Sequence, residues 1–437
     1  MPGSSARPRE VDAMNIHSTV QKRTPAEDAL VASFEEQFSR LPGDPDVAVK
    51  RDRAIEQLKA GLPTRHVEAW HYTDLRRLLN NVPESTAAKG GAVTVEPLLD
   101  GSVVTALFDG AHARRLPVLD GVKFEAIAEK LSDGSLAPAL GASGDDDAVG
   151  ALNTALVGDG VFVDVSENTS LEVPIEIQNI HTGGQTHTRN AVRVGDGASA
   201  IIVERQTGAN PALVSHVSNL TVGDGAEVIW VIVQEQPDTV THLAQFNAEI
   251  GADAKLTLFV MNAGGKLVRQ EIRVKTVGEG SDFQLRGVNL LAGDTHSDTT
   301  MVLDHAVPHC GSRELVRNVV TGTARGVFQG RINVHQVAQK TDAKMACNTL
   351  LLSDDAEFLT KPELEIFADD VACGHGATVT EIDRNHLFYL MARGVPEKEG
   401  RGMLVKAFLA EVIEELEHPA LVEALEAKLD EWFRVNV

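Results

Sequence analysis

Val194-Gly195-Asp196-Gly197-Ala198 returns almost unchanged as Val222-Gly223-Asp224-Gly225-Ala226. Weaker copies follow at Ile250-Gly251-Ala252-Asp253-Ala254 and Val277-Gly278-Glu279-Gly280-Ser281, and a fainter one precedes them at Val165-Ser166-Glu167-Asn168-Thr169. From 165 to 194, 222, 250 and 277 the steps are 29, 28, 28 and 27 residues. Each copy is an apolar residue, a tight turn, then strand-forming residues. A steady period of this length marks a solenoid, whose units bury their apolar faces only by stacking on one another. No LxxLxL pattern is present, which excludes a leucine-rich repeat, and strand-like units exclude ankyrin and tetratricopeptide arrays. A parallel β-helix is the expected core. An ordinary β-sandwich with evenly spaced hairpin turns is the alternative that spacing alone leaves open.

Outward from the repeat, Val161–Val165, Ile175–Asn179, Ala191–Val194, Ala200–Glu204, Val228–Val233, Lys255–Val260 and Glu271–Val277 read as strands. The first third reads as mostly helical. Thr24-Pro25 is a cap and first-turn pair for a helix over Ala26–Leu41, with Leu30, Phe34 and Phe38 on one face. A second helix over Ala48–Ala60 stops at Gly61-Leu62-Pro63. Thr64–Leu79 carries Trp70 and Tyr72 and should anchor local packing. Pro83–Gly91 reads as a loop, Ser102–Asp109 as a strand, Val122–Leu131 as a helix, and Gly141–Gly150 as a flexible acidic boundary. Beyond Gly394, Met403–Leu416 and Leu421–Phe433 read as two amphipathic helices. The first presents Leu404, Phe408, Val412 and Leu416, with Glu411, Glu414, Glu415 and Glu417 facing outward. Such helices cap a solenoid end or dock a partner. Three regions result: 1–150 mainly helical, 151–393 β-helix, and 394–437 helical.

Composition narrows the function. The 437 residues hold 40 Lys+Arg against 63 Asp+Glu, a formal charge of −23, which argues against nucleic acid and anionic membrane surfaces as partners. Aromatics make up 4%, too few for sugar or base-stacking platforms. No apolar run approaches the ~18 residues of a membrane span, and Met1–Val20 lacks the apolar core of a signal peptide. Met14 is an alternative start to Met1. The three cysteines, Cys310, Cys347 and Cys373, form no CxxC and suit a reducing, cytoplasmic setting. Neither a P-loop nor GxSxG nor HExxH occurs, so nucleotide hydrolysis by the chain itself is not expected.

Candidate chemistry lies between Asp304 and Asp383, which holds all three cysteines and His305, His309, His335 and His375. His305, His309 and Cys310 make a soft-metal site only if the chain brings them together; structural roles for them are the plainer reading. Cys373-Gly374-His375-Gly376 is sharper. Residues two apart on a strand share a face, and the flanking glycines admit close approach. A thiolate and an imidazole can bind iron or another soft species, with a Gly turn carrying a buried Cys as the alternative. Two ligands are too few for a cluster, so another chain would have to complete it.

Ala338-Gln339-Lys340-Thr341-Asp342-Ala343, Asn348-Thr349-Leu350-Leu351-Leu352, Lys361 to Thr378 and Leu387 to Gly394 resemble the shared core of the SufB/SufD family. Gly61 to Leu75 (GLPTRHVEAWHYTDL) resembles the segment found on the SufD side of that family, and so does His375 between Gly374 and Gly376, where SufB has glutamates. The resemblance implies a right-handed parallel β-helix flanked by helical regions. It implies a non-catalytic scaffold subunit of a SufB–SufC–SufD complex that assembles iron–sulfur clusters. A SufB-like paralogue would pair through the β-helices, and a SufC-like ATPase would dock on the C-terminal helices, with Leu404, Phe408, Val412 and Leu416 as the docking face. The nascent cluster would form at the SufB interface, where His375, as an iron ligand shared with the partner, and Cys373 would lie. The chain alone would bind no cofactor stably; a reduced flavin belongs to the implied complex without an identifiable motif here, and the isolated chain would form a homodimer. A SufB-type scaffold and a β-helix polysaccharide-acting enzyme are the alternative functions.

Overall fold

The computed structural model describes residues 22–84, 95–112 and 115–436. The choice between Met1 and Met14 and most of the predicted Pro83–Gly91 loop fall outside them.

The repeated turn works as its sequence requires. The fourth residue of each copy takes a left-handed conformation: Asn168, Gly197, Gly225, Asp253 and Gly280 have φ of 56°, 64°, 65°, 50° and 76°. Gly, Asn and Asp bear this conformation at least cost. Two later coils repeat it with His309 and Lys340, at φ 60° and 65°, where sequence no longer shows the motif. In every copy that residue's N–H donates to a carbonyl of the next coil's turn. The bonds run Asn168 to Asp196, Gly197 to Asp224, Gly225 to Ala252, Asp253 to Glu279, Gly280 to Pro308, His309 to Gln339 and Lys340 to Asp370. A small buried residue follows every turn after the first: Ala198, Ala226, Ala254, Ser281, Cys310 and Thr341.

Each coil contributes one strand to each of two parallel sheets, of ten and nine strands. The core is therefore a parallel β-helix, and the sandwich alternative falls. Predicted strands lengthen in place; Ala200–Glu204, for example, lies within Ser199–Gly208. Side chains between the sheets form one apolar core, in which Trp230 meets Phe246 edge-on at 5.2 Å. Beside it runs a ladder of amides in exact register, Asn179, Gln206, Gln234, Asn262, Asn289 and Asn318. Asn262 donates to Asn289 at 2.8 Å, and Asn289 to Asn318 at 2.7 Å.

Helices cover the outer faces. On the nine-stranded side lie α1 (Pro25–Gln37), α2 (Pro45–Ala60), α3 (Leu75–Leu78), α4 (Ile127–Ser132) and α5 (Ala148–Leu156). Thr24 and Glu27 form a capping box at α1, as its sequence predicts. Phe38 falls in a 3-10 turn and stays 40% exposed, whereas Leu30 and Phe34 are buried. Trp70 is fully buried, with the Arg269 guanidinium 4.3 Å over its ring. Val122–Leu131 is not all helix: Val122–Ala126 is a strand pairing antiparallel with Asp159–Val165 before α4 begins. The acidic stretch Gly141–Gly150 is anchored rather than flexible. Asp147 is 1% exposed, caps α5 through the Gly150 N–H and pairs with Arg273 at 2.9 Å.

Three helices follow the last strand: α6 (Arg384–Ala392), α7 (Glu397–Glu414) and α8 (Pro419–Asn436). They do not cap the solenoid end. α7 and α8 lie along the outer face of the ten-stranded sheet, where Leu409, Val412, Leu421 and Leu425 pack on Val203, Val231, Phe259 and Val288. Glu411 and Glu415 are not free outward charges, since Arg317 and Arg286 bind them at 2.7 Å.

Burial holds the imidazoles of His187 and His242 down to about 3, and those of His181, His296 and His305 down to about 4. All lie below the unfolded value of ~6.5, so each contributes stability that is present above that pH and lost as pH falls toward the folded value. His242 has no hydrogen-bond partner at either ring nitrogen. The His242→Leu variant should therefore lose less stability than the parent between pH 6.5 and 5, by up to ~1.4 kcal/mol per pH unit. Urea unfolding across that range measures it, and parallel pH profiles would contradict it.

Candidate functional site

Cys373 and His375 lie on the final strand, Ala372–Thr380. Register pairs Cys373 with Ala343 and His375 with Met345, both buried core residues. Alternation along the strand therefore places Cys373 and His375 on the face that turns inward in every earlier coil. Here no further coil among the described residues covers them, and Cys373 is half-buried and His375 exposed. Both border a depression of about 510 Å³ with Lys344, Met345, Val371, Ala372 and Gly374. On the opposite face, a Cβ at Gly374 or Gly376 would meet nothing within 4 Å, so the glycines leave open space there. Burial pushes the Cys373 thiol upward; the Ala343 backbone bond opposes this, while the charges of Asp342 and Glu314 add to it.

The other cysteines are structural. Cys310 occupies the small-residue column after the turn, and Ser281 Oγ donates to its Sγ at 3.2 Å. Cys347 is buried, accepts from Asn318 Nδ2 at 3.3 Å, and has its thiol pushed up to about 12 by burial. His305 points inward toward Ser312, whereas His309 stands exposed at the turn near Glu279. Hence His305, His309 and Cys310 do not converge, and among the described residues no group of three or more His, Cys, Asp or Glu can hold a metal ion. Cys373 and His375 make at most part of a site.

Of the four residues expected to dock a partner, Val412 and Leu416 are buried in the seam between α7 and the sheet. Leu404 and Phe408 pack against the same cluster, with Arg317 5.2 Å from the Phe408 ring. The free apolar surface lies one helix earlier, where Phe388, Tyr389 and Met391 of α6 are 72%, 58% and 43% exposed, with Met403 of α7 at 48%. The Leu387-Phe388-Tyr389 run was the signal for it, since a short helix with apolar residues on several faces cannot bury them all.

A groove of about 880 Å³ runs between the N-terminal region and the nine-stranded sheet, lined by Glu68, Asp146, Arg269, Arg273, Lys361 and Glu363. Several of its charges pair across it: Arg273 with Asp147 and Glu271 at 2.9 Å each, and Lys361 with Glu68 at 2.9 Å. It is a docking seam of the fold.

Comparison with known proteins agrees with this architecture. Residues 177–408 match the family described as "SUF system FeS cluster assembly, SufBD core domain". The chain is 30% identical to the iron–sulfur cluster assembly protein SufD of Escherichia coli (strain K12), over 85% of this chain and 89% of that protein. It is 31% identical to an iron–sulfur cluster assembly SufBD family protein of Synechocystis sp., over 61% and 62% of the two chains. A SufBD family protein of Mycobacterium tuberculosis is 26% identical over 86% and 90%. The chain belongs to the SufBD family of iron–sulfur cluster assembly proteins, on its SufD side.

Proposed function

We propose that this chain is the SufD-like scaffold subunit of a cytoplasmic SufB–SufC–SufD complex and offers one half of a cluster-assembly site to a SufB-like paralogue. The observation that carries the reading is the open end of the β-helix. Cys373 and His375 stand on inward rows of its last coil, and the outward edges of Glu357–Ile366 and Ala372–Thr380 pair with no further strand among the described residues. Such edges recruit another sheet unless something covers them. Val379 and Ile366, each 39% exposed, and Phe367, 66% exposed, surround the end with apolar surface.

A second β-helix meeting this edge brings its own side chains against Cys373 and His375 and completes the ligand set that neither chain holds alone. Iron and sulfide are the cargo there. His375 offers an imidazole, a competent iron ligand, and Cys373 a thiol that becomes a ligand once it loses its proton. Sulfur reaches the interface as persulfide on the paralogue. The chain performs no turnover by itself; ATP binding by a SufC-like subunit reshapes the interface. In the absence of the paralogue, the same edge accommodates a second copy of this chain as a homodimer. The exposed face of α6 and the start of α7, rather than the seam of buried Val412 and Leu416 and half-buried Leu404 and Phe408, is the docking surface for the ATPase.

In the reconstituted complex, His375→Ala should lower cluster formation by at least roughly tenfold, since loss of even an outer-shell partner of a metal ligand costs this much. Gel filtration should show an unchanged complex, and undiminished cluster yield would remove His375 from the site. Phe388→Asp should weaken ATPase capture by at least ~2 kcal/mol, the scale of an aromatic hot spot, without unfolding the chain. Calorimetric binding constants measure this, and an unaltered constant would move the docking surface elsewhere.

A further inference from the structure

The amide ladder inside the β-helix is one column in register but two networks in bonding. From Asn262 onward its members hold one another: Asn262 donates to Asn289, Asn289 to Asn318, and Asn318 to Thr349 Oγ1 at 3.0 Å. Before Asn262 they do not. The longer Gln side chains turn back along their own strands. Gln206 donates to Glu204 at 3.0 Å, two residues away, and Gln234 donates to Gln236, also at 3.0 Å. The remaining amide oxygens of Gln206 and Gln234 have no partner, and Asn179 has none at either amide atom.

The facing sheet divides in the same way. Thr299 serves the self-bonded half, with Oγ1 3.5 Å from Asn262 Nδ2 and 3.3 Å from Asn289 Oδ1. Its row runs back through Gln270 and Ala244 to His216. Thr188 and Glu204 hold His216 at 2.7 and 3.1 Å, but Gln270 Oε1 has no partner. In the next row His242 has none at either ring nitrogen. His181 donates through Nδ1 to the Thr207 carbonyl at 2.8 Å, which leaves Nε2 an acceptor without a donor. Asn179, His181, Gln206, Gln234, His242 and Gln270 are all at most 5% exposed. Exchanging amide oxygen and nitrogen does not repair this. Asn179 lacks partners at both atoms, and a turned Gln206 would set its oxygen against the Glu204 carboxylate. A cavity of about 10 Å³ opens between Asn179, His181 and Gln206, space for about one water.

We propose that the N-terminal half of the lumen is a closed chamber that binds a cluster of ordered water, bridging the two sheets where the ladder does not bond to itself. Buried polar atoms are satisfied by protein or by such water. Acceptors dominate the atoms in need: His181 Nε2, the oxygens of Gln206, Gln234 and Gln270, Asn179 Oδ1 and one nitrogen of the neutral His242. The ligand must therefore donate hydrogen bonds, which excludes an anion. A cation would need a free carboxylate to offset its lost hydration. Glu204, which the chamber contains, is already held by His216, Ser218 and Gln206. Water donates twice, carries no charge and fits the space. Toward the open end the chamber is shut: the Thr299 row continues as the buried Phe328 ring, and the amides of that half hold each other. The water thus stops short of Cys373 and His375, and nothing in the chamber depends on the role proposed for that pair.

A crystal structure of the full chain, at a resolution that shows ordered solvent, should place waters within hydrogen-bond reach of His181 Nε2, His242 and the Gln206 and Gln234 oxygens. Xenon under pressure should find no site there, because it enters dry apolar cavities rather than hydrated polar ones. In solution, oxygen-17 relaxation dispersion counts long-lived internal waters, and Gln234→Leu should lose about one of them relative to the parent. Xenon density beside His242, or side chains that close on one another with no solvent between, would overturn the site. So would an unchanged water count in a folded Gln234→Leu. The crystallographic and xenon readouts need only the parent chain, so they decide the matter if the variant does not fold.

Discussion

Every coil of this molecule depends on one hydrogen bond, from the N–H of a left-handed turn residue to a carbonyl in the turn of the next coil. The bond repeats from Asn168 to Lys340 and sets the rise from one coil to the next. After the first turn it is always followed by a small buried residue, and it keeps the amide ladder and the apolar rows in register. Its logic also dictates where the structure ends. Stacking satisfies a strand only if another strand follows. At the N-terminal end the antiparallel strands Val122–Ala126 and Ala111–His112 stop the growth of the sheets. The C-terminal helices turn away to lie along the sheet, and among the described residues no strand pairs with the edge of the last coil.

Cys373 and His375 stand at that edge for the same physical reason. One inward row is hydrophobic in the middle of the solenoid, at Ile202, Trp230, Leu258 and Leu285, and continues toward its end as Glu314, Met345 and His375. Within a stacked coil, Cys310 and Cys347 are small core residues with inert thiols. Cys373 differs only in having no coil above it. In the proposed reading, a site built this way is half a site by construction, and a scaffold with three cysteines would serve a cluster that needs more ligands than it owns.

Much of the fold was legible because the turn is chemically demanding. The left-handed position selects Gly, Asn or Asp, so the 28-residue beat shows in the sequence until His309 and Lys340 take the same conformation without the signature. Thr24 and Pro25 likewise announce their helix. What stayed hidden depends on which surface meets which. Periodicity shows that Leu404, Phe408, Val412 and Leu416 share a face but not that the chain's own sheet covers it, so they read as a partner surface. The acidity of Gly141–Gly150 suggests a mobile boundary, yet Asp147 is fixed by a helix N-terminus and by Arg273, 126 residues away. Glu314 was invisible for a related reason: the ten-stranded sheet is covered on both faces, so alternation cannot tell which residues look inward. The CxH pair was legible because its glycines and spacing are local.

The central claim is that the free edge of the last coil is where a second β-helix joins. Placing a photoactivatable cross-linking residue at Val379, in the full chain co-expressed with a SufB-like paralogue and a SufC-like ATPase, tests this directly. The account predicts a cross-link between Val379 and a strand of the paralogue's β-helix, in a complex that elutes intact. A cross-link to the ATPase alone, or an intact complex in which Val379 stays uncoupled to any partner, would contradict it.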